Sequence, residues 1–577
     1  MLDRIPQKGI KNCSRNELNV LCDEIRGVII DAVTKCGGHL ASNLGAVEST
    51  VALFYVFDFP NDKIVFDVGH QCYPYKILSG RYERFYTLRQ AGGISGFPKR
   101  EESEYDCYDT GHAGTSVSAA IGLAKARDLL GENRNVIAYI GDGSFNNGLV
   151  YEALNSLKIL NTNILIILND NGMSISPTVG GMYDIISNLK EEGREENIRL
   201  LENFGLTYLG IKNGNDLDEM IDAMEESKEL LKNGSVLLHI VTKKGKGYEF
   251  SEENPTDTHG VSPVGSTKQK EYSEVLGETL CELAEKDDKV TVVSAAMKEA
   301  LGLSAFFEKY PERAFDVGIC EENASVLCAS MGAGGLKPYY AIYSTFLQRA
   351  FDEIIHDVCA QDMPVTFCID RGGISGSDGE THQGVFDLSY LSLIPNMTIV
   401  APKDTDELKK MLEFSANYVH PLAIRYPRAG VVLFDGVDEP ITLGKWQYLR
   451  KTEGKKAKAT ILAVGERCLI MAMKIWKNFQ EQGLDFDVVN ARFVKPLDVE
   501  LLESLTGSAI ITLEDNVFLG GFGSMVCGEI TKRGIDCKIK NFAYRDEFIR
   551  QGGISDLQAE YGVNSKEIEE ELKKILL

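Results

Sequence analysis

Two apolar stretches of the sequence end in polar side chains that suit a hard cation. The stretch NVIAYI is followed by GDG, which contains Asp142, and the stretch NILIIL is followed by NDN, which ends at Asn171. A carboxylate and an amide carbonyl are ligands that Mg²⁺ accepts, with water and phosphate oxygens completing its octahedron. The two polar groups therefore indicate cation chemistry.

The elements that must position these residues form a βαβ unit. Apolar runs at residues 135–140 and 163–168 predict strands, and the segment between them predicts a glycine turn and a helix of about fifteen residues. Neighbouring parallel strands open their C-terminal ends onto one crevice, so Asp142 and Asn171 are expected side by side. Gly143 would let the backbone approach a diphosphate, whose charge the helix N-terminus favours. The unit predicts a metal–diphosphate site.

The composition is that of an ordinary globular α/β protein. The chain has 577 residues, of which 44% are apolar, and a formal net charge of −24. No basic stripe balances that charge, which argues against nucleic acid and acidic membranes as partners. The thirteen cysteines include no Cys-x-x-Cys pair. Because the amino terminus lacks the apolar run of a signal peptide and no stretch is long enough to span a bilayer, we expect a cytoplasmic protein.

Five of the eight histidines lie in loops within a residue or two of glycine. These five are His39, His70, His112, His259 and His382. Their recurrence near strand ends indicates a site that needs neutral donors and proton carriers beside phosphate and hydroxyl groups. The other three, His239, His356 and His420, are expected to be satisfied or surface side chains.

A second group of candidate residues lies in the middle of the chain. Glu321 precedes a helix with small apolar residues on one side, so it is either a favourable helix N-terminal acid or a buried acid of raised pKa. Arg371, Arg425 and Arg428 lie at the ends of apolar strands, and Asp378 and His382 lie between the first two of these arginines. In an acidic protein such arginines are candidate phosphate ligands.

Alternating strand and helix patterns predict three α/β domains with mostly parallel sheets flanked by helices. The predicted domains cover residues 1–265, 270–445 and 455–577, and the polar run SEENPTDTHGVSPVGSTKQKEYS is the linker between the first two. Residues 182–235 are predicted to be helical and charged. The third domain, with strands ATILAVGER, FDVVNARFV and SAIITLEDN, shows no catalytic residue types at its strand ends and is expected to serve packing and dimer contact.

Motifs along nearly the whole chain resemble the 1-deoxy-D-xylulose-5-phosphate synthase family. They are GHLASNLG, DVGHQCYPYKILSG, GISGFPKREESEYD, GDG with NDN, KGKGYE, DVGICE, YSTFLQRA, DRGGISGSDGETHQG and RYPRA. The resemblance implies a transketolase-like, homodimeric enzyme that uses thiamine diphosphate and Mg²⁺. Such an enzyme condenses pyruvate with D-glyceraldehyde 3-phosphate, releases CO₂ and begins the methylerythritol phosphate route to isoprenoids, which also supplies thiamine and pyridoxal precursors.

The resemblance also implies a role for each matching residue. The implied metal ligands are Asp142, Asn171 and the backbone of Met173. The implied cofactor contacts are His70, Gly111, His112, Ala113, Gly143, Ser144, Asn171, Tyr248, Glu321 and Phe346. The implied phosphate ligands of the aldehyde are Tyr343, Arg371 and Arg428, and the implied catalytic residues are Glu321, His39, Asp378, His382 and His259.

The sequence departs from the family pattern at two places. Glu322 and Asn323 stand where family members usually have Gln and His, and residues 181–200 form a shorter segment than is typical. An extra carboxylate beside Glu321 would raise its pKa if both faced inward. Two alternatives to the synthase therefore stay open: a transketolase-like paralogue with another donor or acceptor, and a catalytically silent cofactor-binding subunit.

Overall fold

A computed structural model describes residues 2, 9–174, 177–190, 195–263, 270–430, 432–434 and 439–577. It divides into two compact units, residues 1–267 with 318–320, and residues 268–317 with 321–577. The predicted linker lies partly outside the described residues, because residues 264–269 are not described. Among the described residues, no helix combines the length and the apolarity that crossing a membrane requires.

The first unit is built on a five-stranded parallel sheet in the order β2-β3-β4-β6-β5. Its strands are β2 (Lys63–Phe66), β3 (Val136–Gly141), β4 (Leu165–Asp170), β5 (Leu206–Asn213) and β6 (Ser235–Val241). Two short strands, β1 (Gly38–His39) and β7 (Gly260–Val261), pair antiparallel.

Side chains of the central strands alternate between two hydrophobic cores, as the two-residue period of a strand requires. On β3, Ile137 and Tyr139 belong to one core, and Ala138 and Ile140 belong to the other. Helices cover both faces and bury these side chains. The α-helices of this unit span Arg15–Cys36, Ala41–Gly45, Val47–Val56, Tyr73–Lys76, Ser116–Leu130, Asp142–Phe145, Gly148–Leu160, Gly181–Asn188, Glu195–Glu202, Leu217–Leu230 and Glu249–Glu253.

The second unit contains two sheets. A seven-stranded sheet has the order β17-β12-β13-β11-β10-β8-β9 and is parallel except for β17. Its strands are β8 (Val290–Ser294), β9 (Ala314–Asp316), β10 (Lys337–Tyr343), β11 (Thr366–Asp370), β12 (Thr398–Val400), β13 (Leu422–Arg425) and β17 (Phe493–Lys495). A five-stranded sheet has the order β14-β16-β15-β18-β19, with β14 antiparallel to its neighbour.

The strands of this last sheet are β14 (Gln447–Arg450), β15 (Ala459–Ala463), β16 (Asp487–Asn490), β18 (Ala509–Val517) and β19 (Lys538–Tyr544). The α-helices of the second unit span Tyr272–Lys286, Ser304–Lys309, Glu321–Ala333, Ser344–Leu347, Phe351–Glu353, Asp387–Ser392, Thr405–Ser415, Gly465–Gln480, Val499–Ser504, Phe522–Arg533, Ile554–Tyr561 and Ser565–Leu576. The alternating α/β pattern predicted from the sequence is confirmed. The three domain ranges stay a prediction.

Two predictions about individual elements were wrong. Residues 182–235 are not all helical, because they contain β5, an edge strand whose side chains are mostly half-buried. The stretch FDVVNARFV is not one strand: it divides into β16 and β17, which belong to different sheets. As a result, β17, which belongs to the predicted third domain, joins the sheet of the predicted second domain, where it pairs with β12.

A buried ionic network joins two of the sequence motifs in the first unit. The Lys76 ammonium, which is fully buried, lies 2.6 Å from the Glu102 carboxylate. Arg81 donates from both terminal nitrogens to Asp106, at 2.5 and 2.8 Å. Buried charges are tolerated only when paired in this way, so the network holds DVGHQCYPYKILSG against the segment that ends in ESEYD.

Removing one member of this network should be costly. We expect Asp106→Ala to destabilise the protein by about 3–5 kcal/mol, because it leaves the Arg81 charge buried without its bidentate partner. The matched control is Asp31→Ala, which removes the exposed partner of Lys35 on a helix surface. Thermal unfolding should show a clear fall in melting temperature for the first variant and almost none for the control. Equal shifts would contradict the importance of burial.

Candidate functional site

Asp142 is a buried carboxyl group at the C-terminal end of β3. Its side chain is 1% exposed, and its Oδ2 accepts a hydrogen bond of 2.7 Å from the Thr178 hydroxyl. Oδ1 is buried and accepts no hydrogen bond from the residues that the structure describes. Burial raises the pKa of Asp142 to about 7; the nearby Asp170 carboxylate adds to the shift, and the Thr178 hydroxyl and the Asn171 backbone amide oppose it.

The register of β3 and β4 brings the two polar strand ends together. Gly141 pairs with Asn169, so Asp142 and Asn171 leave neighbouring strands at the same edge of the sheet. The Asn171 Oδ1 accepts the backbone N–H of Met173 at 3.1 Å. No group of three His, Cys, Asp or Glu side chains with metal-binding geometry occurs among the described residues, so a cation here would rely on amide and backbone oxygens beside Asp142.

Asp170 has partners of its own, although it lies between Asn169 and Asn171. Its Oδ2 is 2.7 Å from the Lys190 ammonium and 3.1 Å from His239 Nε2. The His239 Nδ1 in turn lies 3.0 Å from the Tyr208 hydroxyl. His239 is therefore a satisfied core histidine, as predicted. Asp170 is engaged in this network, which leaves Asp142 as the carboxylate with a buried oxygen to spare.

Three of the histidines predicted to lie in loops form a triangle in the first unit, although His39 lies in β1 and not in a loop. The centroid of the His39 ring lies 6.1 Å from that of His70 and 5.5 Å from that of His259. The centroids of the His70 and His259 rings are 5.8 Å apart. Burial, together with the nearby His39 and Lys244, lowers the pKa of His70 to about 3. Burial also lowers the pKa of His259 well below its usual value. Both imidazoles are neutral at physiological pH and can each donate and accept a hydrogen bond.

Asn43 holds this triangle, and the sequence analysis missed it. Its side-chain amide donates to the backbone carbonyls of His39 at 2.8 Å and His70 at 2.7 Å. Its Oδ1 accepts the backbone N–H of Tyr73 at 2.8 Å. One amide thus fixes two histidine-bearing loops that are distant in sequence. Its position inside the GHLASNLG motif was a signal that could have identified it.

Asp67 is a second residue that the sequence analysis missed. Its carboxylate accepts the backbone N–H of Gly114 at 2.8 Å and that of Ser116 at 3.0 Å. Burial raises the pKa of Asp67, and hydrogen bonds from Gly114, Ser116 and Ser144 oppose that shift. Asp67 therefore fixes the turn that carries the predicted cofactor residues. These are Gly111, His112 and Ala113, with Ser144 beside them.

The backbone at Gly143 lies close to its neighbours, as a cradle for a large anionic group requires. A Cβ atom at Gly143 would lie 2.9 Å from the Cβ of Ser174, so a side chain there would displace the neighbouring loop. Tyr248 lies in a different environment, where it is half-buried and packs against the hydrophobic core of the first unit. Its predicted contact with a cofactor stays a prediction.

Glu321 begins the helix Glu321–Ala333 in the second unit. Its carboxyl group is 4% exposed, and Oε2 accepts no hydrogen bond from the described residues. Arg349 Nε lies 3.9 Å from both the Glu321 and the Glu322 carboxylates. Burial raises the pKa of Glu321 to about 7; Arg349 opposes the shift and Glu322 adds to it. The carboxyl group can therefore hold a proton at neutral pH.

An aromatic surface lies at the end of β10. Tyr343 and Phe346 stack with their ring centroids 5.6 Å apart, and His382 meets Phe346 edge-on at 5.6 Å. The Arg371 guanidinium lies 3.6 Å from the centroid of the Tyr343 ring. Tyr343, Phe346, His382 and Arg371 were all predicted from motifs separated along the chain, and the structure brings them together.

Two of the three candidate phosphate arginines, Arg371 and Arg428, share one electrostatic environment. The third, Arg425, is instead buried in an ion pair with Asp387. Arg371 donates to Asp370 at 3.0 Å and adopts φ 58°, a left-handed conformation that few non-glycine residues adopt and that occurs often at functional sites. The Arg428 side chain is half exposed and lies 3.7 Å from Glu271. Both arginines lower the pKa of Tyr343, although burial is the larger effect and raises it to about 12. The charges of Asp370 and Asp378 both raise the pKa of Arg371.

The loop that carries Arg371, Asp378 and His382 is fixed at its base. Gly373 and Gly384 exchange backbone hydrogen bonds of 2.6 and 2.8 Å. Gly373 adopts φ 85°, and a Cβ atom there would lie 2.0 Å from the Asp515 Oδ2. Asp515 is in β18, so the predicted third domain contributes directly to this loop. The expectation that this domain serves packing and dimer contact did not include that contribution.

Three family models match the chain. The 1-deoxy-D-xylulose-5-phosphate synthase model matches residues 2–200 and 188–242. The pyrimidine-binding domain of transketolase matches residues 268–431, and the transketolase C-terminal domain matches residues 444–568. The first match divides into two pieces that overlap at residues 188–200, inside the segment that the sequence analysis identifies as short.

Curated relatives match over the full chain. A 1-deoxy-D-xylulose-5-phosphate synthase of Clostridium perfringens is 43% identical over an alignment of 627 residues that covers 100% of both chains. The corresponding protein of Clostridium tetani is 43% identical over 612 residues and covers 98% of each chain. Among solved structures, a transketolase of Campylobacter jejuni is 19% identical with a TM-score of 0.46, and the match covers 97% of this chain and 100% of that chain.

The contact between Gly373 and Asp515 generates a prediction about stability. Gly373→Ala should lower the melting temperature clearly, because it forces both a left-handed alanine and a clash with the Asp515 carboxylate. Gly335→Ala is the matched control, since Gly335 has φ 89° but its Cβ would meet open space. If thermal unfolding showed equal losses, backbone conformation alone would explain both and the contact with Asp515 would carry no weight.

Proposed function

Because the chain belongs to the 1-deoxy-D-xylulose-5-phosphate synthase family, we propose that it condenses pyruvate with D-glyceraldehyde 3-phosphate. The products are 1-deoxy-D-xylulose 5-phosphate and CO₂, and the cofactor is thiamine diphosphate. The enzyme is thus a transferase that begins the methylerythritol phosphate route. The single observation that carries the proposal is the buried Glu321 carboxyl group, whose Oε2 is free of hydrogen bonds from the described residues.

Glu321 has the properties that this chemistry needs. When bound, thiamine diphosphate supplies a thiazolium ring that accepts the electron pair left when CO₂ departs from pyruvate. The Glu321 carboxyl group would donate its proton to the aminopyrimidine ring. Its pKa of about 7 allows it to hold that proton near neutral pH and to release it during turnover.

Residues of the first unit fit a metal-bound diphosphate. Asp142 offers a buried oxygen without a hydrogen bond from the described residues, and Asn171 and the Met173 carbonyl would complete the protein ligands of Mg²⁺. The cofactor contacts would come from the backbone around Gly143, from Ser144, and from the turn that Asp67 fixes. A bound cation would stabilise the ionised form of Asp142 and so offset the cost of burying it.

The remaining residues would handle the substrates. Arg371 and Arg428 would bind the phosphate of the aldehyde, because guanidinium groups match phosphate oxygens in geometry and charge. The His39 and His259 rings are suited to hydroxyl groups and proton transfer, and the neutral His70 ring is suited to a contact with the cofactor. Asp378 and His382, on the loop of Arg371, would handle hydroxyl groups and protons, as the family motifs imply. Phe346 would stack on the cofactor ring, as the motif YSTFLQRA implies, and Tyr343 would line the phosphate site.

Three further features belong to the same proposal: Mg²⁺ as the metal, a homodimer as the assembly, and the cytoplasm as the location. The donor set supports the metal, since a carboxylate and amide and backbone carbonyls suit a hard cation. All thirteen cysteines lie among the described residues and none of them forms a disulfide bond, which is compatible with a reducing compartment.

Product analysis tests the proposed reaction. The purified protein is incubated with thiamine diphosphate, Mg²⁺, pyruvate and D-glyceraldehyde 3-phosphate, and CO₂ and sugar phosphate are measured together. Equal amounts of CO₂ and 1-deoxy-D-xylulose 5-phosphate are expected. CO₂ release with other aldehydes but not with this one would favour the transketolase-like paralogue, and cofactor binding without any product would favour the silent subunit.

Replacing Glu321 tests its role in the reaction. Glu321→Gln should lower turnover by about 10²-fold or more, because the amide cannot transfer a proton, while the fold is retained. The matched control is Glu322→Gln, which alters the neighbouring and more exposed carboxylate at the same 3.9 Å from Arg349. Pyruvate-dependent CO₂ release and melting temperature are measured for both. Unchanged turnover in Glu321→Gln would remove this residue from the mechanism.

A further inference from the structure

Arg467 connects the two segments that carry the candidate phosphate arginines. It lies in the first turn of the helix Gly465–Gln480, directly after β15. One terminal nitrogen, Nη1, donates to the backbone carbonyl of Ile374 at 2.6 Å. The other, Nη2, donates to the backbone carbonyl of Arg428 at 2.8 Å. Ile374 is three residues beyond Arg371, so one guanidinium holds both segments.

The guanidinium is itself oriented by Asp515. The Asp515 Oδ2 accepts from Arg467 Nη1 at 3.1 Å, and its Oδ1 accepts the backbone N–H of Ile374 at 3.2 Å and the Tyr544 hydroxyl. Asp515 is 3% exposed, and the Arg467 side chain is 12% exposed. Charged hydrogen bonds are strong and directional, so they define the positions of the two carbonyls. The bonds of Arg467 to Ile374 and Asp515 are partly buried, whereas the bond to the Arg428 carbonyl is exposed.

We propose that Arg467 is a positioning residue that sets the spacing and direction of Arg371 and Arg428, and thereby the affinity for the phosphate of the acceptor. This inference rests on the proposed function. The guanidinium is planar and rigid, so the two carbonyls that it binds are held at a fixed separation. Arg371 depends on such support, because its left-handed backbone relaxes unless the surrounding loop is held.

A lysine cannot replace this arginine in the proposed role. Lysine offers one nitrogen on a flexible stem, whereas the two carbonyls here are bound by two different nitrogens of one plane. The contacts of Arg467 are with backbone carbonyls and with Asp515, and they do not involve the groups proposed to react. Its loss should therefore weaken binding of a phosphorylated acceptor more than it slows the chemical steps.

The test compares two acceptors in steady-state assays with pyruvate, D-glyceraldehyde 3-phosphate and unphosphorylated D-glyceraldehyde. Arg467→Lys should raise the KM for the phosphorylated aldehyde about tenfold. The kcat with that aldehyde and the KM for D-glyceraldehyde should stay within about twofold of the wild-type values. Tyr544→Phe, which keeps Arg467 but removes one hydrogen bond to Asp515, should give a smaller shift in the same direction.

Two further variants calibrate the assay. Arg533→Lys is the matched control, because Arg533 also pairs with acidic side chains, Glu529 and Glu503, but on an exposed helix surface. It should change neither KM. Arg428→Ala is the reference for direct loss of a phosphate ligand and should raise the KM for the phosphorylated aldehyde alone. Melting temperatures establish that each variant is folded.

The outcomes separate the inference from the function on which it rests. If Arg467→Lys impairs both acceptors equally, or lowers kcat without changing the KM ratio, Arg467 has only a structural role and the proposal is overturned. If Arg428→Ala also fails to distinguish the acceptors, the phosphate assignment is wrong. If the wild-type protein forms no sugar phosphate, the proposed function fails; the positioning role is then tested by binding of inorganic phosphate, which Arg467→Lys must weaken.

Discussion

The burial of carboxyl oxygens without hydrogen-bond donors is the constraint on which the rest of the structure depends. Asp142 in the first unit and Glu321 in the second each have one buried carboxyl oxygen that accepts no hydrogen bond from the described residues. Burial without compensation is unfavourable for a charged group and raises the pKa of both to about 7. A fold retains groups of this kind when a ligand or a proton supplies the missing partner. That requirement connects the stability of each unit with its chemistry.

The first unit surrounds its buried candidate groups with fully paired side chains. Asn43 uses its whole amide to hold the loops of His39 and His70. Asp67 accepts two backbone N–H groups and fixes the turn before the helix Ser116–Leu130. Because each partner is satisfied, these loops hold their geometry without depending on a ligand. The neutral imidazoles and the buried Asp142 carboxyl group are therefore already oriented, so binding a ligand would cost little reorganisation free energy.

The second unit shows that a region to which the sequence analysis assigned no catalytic residue can still shape a candidate site. Asp515 and Arg467, from the last five-stranded sheet and its helix, fix the loop that follows β11. The Arg425 guanidinium also donates a hydrogen bond of 2.7 Å to the Asp515 backbone carbonyl. The two sheets of the second unit are also connected by β17, which follows β16 of the five-stranded sheet in the chain and pairs with β12 of the seven-stranded sheet. The loops that carry Arg371 and Arg428 are consequently only as well defined as their contacts with this sheet.

The sequence by itself determined the α/β class, the two polar strand ends at Asp142 and Asn171, and the family, because strand periodicity and motif spacing are local properties of the chain. It did not reveal β5, whose half-buried side chains lack a clear apolar run, or the division of FDVVNARFV between two sheets. The tertiary structure alone decided the partners of Asn43, Asp515 and Arg467. Arg467 reaches Ile374 across 93 positions of sequence. Such hydrogen bonds depend on how distant segments pack, and no local pattern encodes them.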